Sequence, residues 1–390
     1  MVKPFNFTRL PEIYFGEGKL SLLPGMAGKF GKRIILVTGR RSFMESASAA
    51  ILLDSLSRAG ISFIRIEIPG EPSPDDIDSA VRMTSDDQID SVVAIGGGSV
   101  MDAGKAISAM AGMNESVTEF LEGVGTMEHP GTKIPFIAAP TTSGTGSEAT
   151  SNAVITRVGR DGFKRSLRHA NFVPDIALVD PVLTTSCSPG ITAASGMDCF
   201  TQLTEAFLSD RSGEFTDSLA VEGIKAIKGS LAKAYHQGDD IPARTGMSFA
   251  ALVSGICLAN AGLGVVHGFA SSVGAMFNIP HGVVCGTLMA PANRIIVREL
   301  RSGKGRTEAL AKYAALGRIT SGAEGKTDYY YTDGFIDWME GLSEELNLPR
   351  LSSYGIERTH LDEICRNTGQ KNNPVKLGKD QLIEILTDRL

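Results

Sequence analysis

Short apolar runs alternate with amphipathic stretches through the first half of the chain. Arg33–Thr38 (RIILVT), Phe63–Ile68 (FIRIEI), Ser91–Ile95 (SVVAI) and Phe136–Ala139 read as strands, three of them dense in β-branched residues. Between them Ala47–Ala59 and Asp75–Ser85 carry helical spacing, and Pro72-Ser73-Pro74-Asp75 reads as a helix start. This alternation predicts a parallel sheet with helices on its faces. One more strand, Ile176–Val179, ends at Asp180-Pro181, and there the strand pattern stops. Ala193–Leu208, Phe215–Tyr235, Ala243–Ala261, His267–Phe277, Val283–Val297, Glu308–Ile319 and Thr332–Leu346 all carry helical spacing, with Gly, Pro or Asn at most joints. The pattern therefore predicts an α/β domain over residues 1–182 and an all-α domain over 183–390.

A chain of 390 residues is too long for one ordinary core, which agrees with that division. A net charge of −6 argues against nucleic acid or an anionic membrane surface as partner. The stretch from Thr245 to Asn293 holds no Asp, Glu, Lys or Arg. Gly, Ser, Asn, Pro and two His interrupt it, so it reads as buried helices around a site, not as a membrane span. The N-terminus lacks the apolar core of a signal peptide, and five cysteines form no CxxC pair, so a cytoplasmic location is expected.

Candidate chemistry gathers at three places. Gly96-Gly97-Gly98-Ser99 follows one strand and opens a helix. Glycines let a backbone approach a pyrophosphate, and the helix N-terminus offers free N–H groups and a positive dipole end. Pro140-Thr141-Thr142-Ser143-Gly144-Thr145-Gly146-Ser147-Glu148 follows another strand and can line the same crevice. Within the charge-free stretch, His267 and His281 need a use for their nitrogens, and Asp198 on a separate helix can supply a carboxylate to a metal between them. His129, His169, His236 and His360 have polar surroundings and read as surface residues, and Cys199 and Cys285 as buried apolar thiols.

The phrases GGGSVMDAGKAI, PTTSGTGSE, IALVDP, ASGMD and VHGFASSVGAMFNIPHG, in that order, resemble the iron-containing (group III) alcohol dehydrogenase family of the dehydroquinate synthase-like superfamily. The resemblance spans essentially the whole chain. It implies a Rossmann-like dinucleotide-binding domain, a helical metal-binding domain, an active site in the cleft between them, and a homodimer. Cofactor-binding roles then fall on Gly97, Gly98, Ser99, Asp102, Thr141, Thr142, Thr145 and Lys164. Relatives that prefer NAD carry an Asp after the first strand. Here the strand ends Thr38-Gly39-Arg40-Arg41, so Gly39 removes a repulsive carboxylate, Arg40 can meet a 2′-phosphate, and NADP(H) is expected over NAD(H).

The family's metal set is an Asp, a His four residues later, and two further His. Asp198, His267 and His281 match three positions, while Gln202 stands at the fourth, and Ser271 replaces another histidine common in the family. A neutral amide oxygen is a weak ligand for Fe²⁺ or Zn²⁺. The expectation is a small alcohol or aldehyde exchanging a hydride with NAD(P)H while a divalent metal polarises its oxygen, Asp198, His267 and His281 being catalytic. Three alternatives stay open: a metal-free reductase using a histidine as proton donor, a non-redox cyclising lyase of the superfamily, and a nucleotide-binding protein without catalysis.

Overall fold

The computed structural model describes residues 4–85, 87–159 and 162–390. The chain divides into two compact units, Thr8–Cys187 and a second made of Met1–Phe7 with Ser188–Leu390. The break thus falls just past the turn Pro181–Thr184, and the chain's first residues go with the helical unit. There Phe5 stacks on Phe215 at 5.9 Å between ring centroids, and Phe7 meets the same ring edge-on at 4.8 Å.

In the α/β unit, β1 (Glu12–Phe15), β2 (Arg33–Thr38), β3 (Ser62–Glu67), β4 (Ser91–Gly96), β5 (Phe136–Pro140) and β8 (Ile176–Val179) form one parallel sheet, ordered β1-β8-β5-β4-β2-β3. Side chains alternate across a strand, and here both faces are buried. Ile35, Val37, Val92, Ala94 and Phe136 face one core, which also holds Ile77 of α3 (Pro74–Met83) and Met101 and Ile107 of α4 (Gly98–Met110). Ile34, Leu36, Val93, Ile95 and Ile137 face the other, with Leu23 of α1 (Leu23–Phe30) and Leu52 of α2 (Ala47–Arg58). That double burial is why these strands read as continuous apolar runs.

An antiparallel hairpin, β6 (Asn152–Arg157) with β7 (Phe163–Arg168), stands apart from the sheet. The expected strands and helices of this unit are present within a residue or two. The hairpin, β1 and α1 had no counterpart in the apolar pattern.

The helical unit holds α5 (Pro189–Leu208), α6 (Glu214–His236), α7 (Ile241–Ala261), α8 (Val265–Met276), α9 (His281–Arg301), α10 (Glu308–Ser321), α11 (Asp328–Glu345), α12 (Leu361–Asn367) and α13 (Lys379–Thr387). Every residue of α5 from Gly196 to Leu208 is buried. A helix enclosed on all sides is normally apolar all round, yet this stretch carries Asp198, Gln202 and Glu205. Among the described residues α7 alone is long and apolar enough to cross a membrane, and most of it is buried inside the helical unit.

Candidate functional site

In the α/β unit the register pairs Gly96 of β4 with Pro140 of β5, so the two glycine-bearing loops start side by side at the carboxyl ends of adjacent strands. Thr141 N–H donates to the Gly96 carbonyl at 2.8 Å and ties them together. Gly97 caps α4 with no side-chain hydrogen bond, leaving Gly98 and Ser99 in the uncapped first turn. A Cβ on Gly98 would stand 2.6 Å from Thr145 Cγ2, and one on Gly97 3.3 Å from Thr142 Cγ2. Close approach of the loops, and not a left-handed backbone, fixes these glycines.

The loop is held from behind by Lys105. Its buried ammonium lies 2.9 Å from the Ser147 carbonyl, 2.7 Å from the Asn152 carbonyl, and 3.0 Å from both the Ser147 and Thr150 hydroxyls. Ser147 Oγ in turn donates to Asp102 Oδ1 at 2.6 Å, and Val154 N–H donates to Asp102 Oδ2 at 3.1 Å. The Asp102 carboxylate is therefore spent on holding loop and hairpin to α4. Burial pushes Lys105 down to about 8, against the pull of Asp102, and pushes the neighbouring Glu148 up to about 7. Lys164 lies on β7 and pairs with Glu71.

At the end of β2, Gly39 has open space, since a Cβ there would meet only Val100 Cγ2 at 4.0 Å. Arg40 lies 3.6 Å from Glu67. Arg65 of β3 donates to Thr38 Oγ1 at 2.9 Å and to the Gly39 carbonyl at 3.1 Å, and pairs with Glu67 at 3.1 Å.

In the helical unit, ligand atoms of Asp198, His267, His281 and Cys285 all lie within 4.8 Å of one another. Asp198 comes from mid-α5, His267 from the first turn of α8, and His281 and Cys285 one turn apart on α9. Glycines bring α9 down on α5: a Cβ on Gly282 would stand 2.2 Å from the Ala194 carbonyl oxygen, and one on Gly286 2.8 Å from Met197 Cβ. Asp198 Oδ1 lies 3.3 Å from His267 Nε2 and 3.6 Å from His281 Nε2. A four-coordinate ion with bonds of about 2.0–2.3 Å requires donor separations of roughly 3.3–3.8 Å. Asp198 Oδ1 and His267 Nε2 are buried and have no hydrogen-bond partner. Such atoms carry a large desolvation cost unless an ion satisfies them, so the donor set fits a divalent metal.

Glu205 organises the cluster. His267 Nδ1 lies 2.7 Å from Glu205 Oε2, which holds a proton on Nδ1 and turns Nε2 toward Asp198. The same carboxylate accepts from Gly264 N–H at 2.9 Å and Val266 N–H at 2.7 Å, anchoring the start of α8. Burial opposes charge on His267, but Cys285, Asp198 and Glu205 outweigh it and hold the imidazole well above its ordinary value. Burial likewise works to raise Asp198, and the His281 and His267 imidazoles hold it low, while burial pushes the Cys285 thiol up to about 12.

Gln202, expected as a weak fourth ligand, has Oε1 accepting from Ser254 Oγ at 2.8 Å, and the Ser271 hydroxyl donates to the His267 carbonyl at 3.0 Å. Cys285, read from sequence as a buried apolar thiol, is buried, and its Sγ also lies among the candidate ligand atoms; its spacing of four from His281 was the available signal. Glu205 has a sequence signal too, since 198, 202 and 205 share one face of a helix. His129 is a further correction: it is buried, with Nε2 3.1 Å from the Ala109 carbonyl and Nδ1 accepting from Gly131 N–H.

Family models match both halves of the chain: iron-containing alcohol dehydrogenase over residues 11–181, and the C-terminal part of the Fe-containing alcohol dehydrogenase family over 192–390. An NADPH-dependent butanol dehydrogenase of Clostridium saccharobutylicum is 32% identical over 97% of this chain and 96% of its own length. An NAD-dependent methanol dehydrogenase of Bacillus methanolicus is 32% identical over 73% of this chain and 74% of its own. Among solved structures, the alcohol dehydrogenase ADH/D1 of an archaeal halo-thermophile from a Red Sea brine pool superimposes with a TM-score of 0.89, 27% identity and full coverage of both chains.

Proposed function

The chain belongs to the iron-containing alcohol dehydrogenase family, and from that membership we propose that it exchanges a hydride between NADP(H) and a small alcohol or aldehyde. The observation that carries the reading is the convergence of buried Asp198, His267 and Cys285 with partly exposed His281, with Asp198 Oδ1 and His267 Nε2 unsatisfied. A divalent metal held there would supply a Lewis acid for the substrate oxygen. Asp198 contributes the anion, and Glu205 keeps His267 in the tautomer that presents Nε2. Gly97, Gly98 and Ser99 offer N–H groups to a pyrophosphate, Thr141, Thr142 and Thr145 line the facing loop, and Asp102 and Lys105 hold that loop in place. Lys164 lies on the hairpin beside this loop and is assigned to the ribose of the cofactor. The names of two relatives, a butanol and a methanol dehydrogenase, support a short alcohol as substrate.

Preference for NADP(H) rests on Gly39, which leaves the end of β2 without a carboxylate, and on Arg40 and Arg65 nearby. Glu67 competes with a 2′-phosphate for both arginines. One experiment tests the reading: metal content of the purified protein together with kcat/KM for NADPH and NADH on short aldehydes. Bound Fe²⁺ or Zn²⁺, loss of turnover on chelation and a preference for NADPH are expected. Full turnover in metal-free protein that still needs His267 would replace it with proton donation by histidine. A roughly tenfold preference for NADH, about 1.4 kcal/mol, would overturn the cofactor assignment.

A further inference from the structure

We propose that Cys285 is the fourth protein ligand of the metal, as a thiolate, in the place left by Gln202; this rests on the metal reading above. Cys285 lies one helical turn beyond His281 on α9, fully buried, with its Sγ in the same group of ligand atoms as Asp198, His267 and His281. Two neighbouring donor atoms in that group, Asp198 Oδ1 and His267 Nε2, are buried without hydrogen-bond partners and lie 3.3 Å apart. Gln202, the residue in the expected ligand position, directs its amide oxygen to Ser254.

Donor strength decides between the two. An amide oxygen is a weak ligand for a divalent ion beside imidazole, and that of Gln202 already accepts from Ser254. A thiolate binds such an ion strongly, and the thiol proton leaves to solvent as the sulfur–metal bond forms. The resulting donor set of two nitrogens, one oxygen and one sulfur is softer than three imidazoles and a carboxylate, so it suits Zn²⁺ and Co²⁺ better than Fe²⁺. His281 is the ligand with the most exposed side chain, and its edge of the cluster remains the side on which a substrate oxygen can join.

The test strips the full-length protein with a chelator and titrates it with Co²⁺ while recording absorption. A thiolate on Co²⁺ gives a sulfur-to-metal charge-transfer band in the near ultraviolet, which nitrogen and oxygen ligands do not. The wild type is expected to show that band rising to stoichiometric cobalt. Cys285→Ser is expected to lose it, to keep the visible ligand-field bands, and to hold cobalt about tenfold or more weakly. Cobalt bound by the wild type without a near-ultraviolet band, or a band that survives Cys285→Ser, overturns the assignment while leaving the metal reading intact. A wild type that takes up no cobalt and still reduces aldehydes with NADPH removes both. The wild-type spectrum decides the matter even where the variant folds poorly.

Discussion

Glu205 is the residue on which the candidate metal cluster depends without being part of it. One carboxylate orients His267 and receives two backbone N–H groups at the start of α8. Glu205→Gln supplies one acceptor oxygen where two are used, so metal affinity should fall about 10–100-fold, read by competition with a chelator. In the α/β unit the informative residue is Glu148, buried with its carboxyl raised to about 7. A raised acid binds its proton more tightly when folded, so its contribution is fully present below about 4.5 and is lost as pH rises through about 7. Glu148→Gln should therefore flatten the fall in stability between those values, a difference on the order of 3 kcal/mol, followed by denaturant midpoints across the range. At the end of β2, Gly39→Asp should narrow or reverse a preference for NADPH, and Glu67→Gln should widen it by freeing Arg40 and Arg65; kcat/KM for the two cofactors checks both.

Among the elements, α5 and α9 set the site by how closely they pass. Gly282 and Gly286 leave no room for a side chain against Ala194 and Met197. Gly286→Ala should cost roughly 1–3 kcal/mol by overpacking and should weaken metal binding with it, since Cys285 and His281 move with the helix. Sheet strands such as β2 and β4 were legible because both their faces are buried and they read as unbroken apolar runs. The hairpin strands were not: NAVITR and FKRSLR carry exposed charges, and their register comes from pairing with each other. The candidate metal cluster was half legible. His267, His281 and Asp198 stood out as polar groups in apolar surroundings. Cys285 and Glu205 carried weaker local signals, a spacing of four from His281 and a shared helix face with Asp198, and their partners come together only when α5, α8 and α9 meet across more than sixty residues of chain.

For the molecule as a whole, each unit carries its own ligand chemistry, so each should respond to its own ligand. Metal should protect backbone amides of α5, α8 and α9 from hydrogen exchange, and NADPH those of residues 96–105 and 140–150. At a hundredfold excess over Kd either ligand should add about 2.7 kcal/mol to the unit that binds it. Uniform protection by one ligand across both units would contradict that division. The chain order adds a consequence for biosynthesis. The α/β unit, Thr8–Cys187, is continuous and can complete its core as soon as it has left the ribosome. Phe5 and Phe7 have their aromatic partner at Phe215. At ribosomal speeds of about 5–20 residues per second, those two rings wait roughly 10–40 s for that partner to be synthesised. A nascent chain stalled before residue 215 therefore presents Phe5 and Phe7 without the ring they pack on.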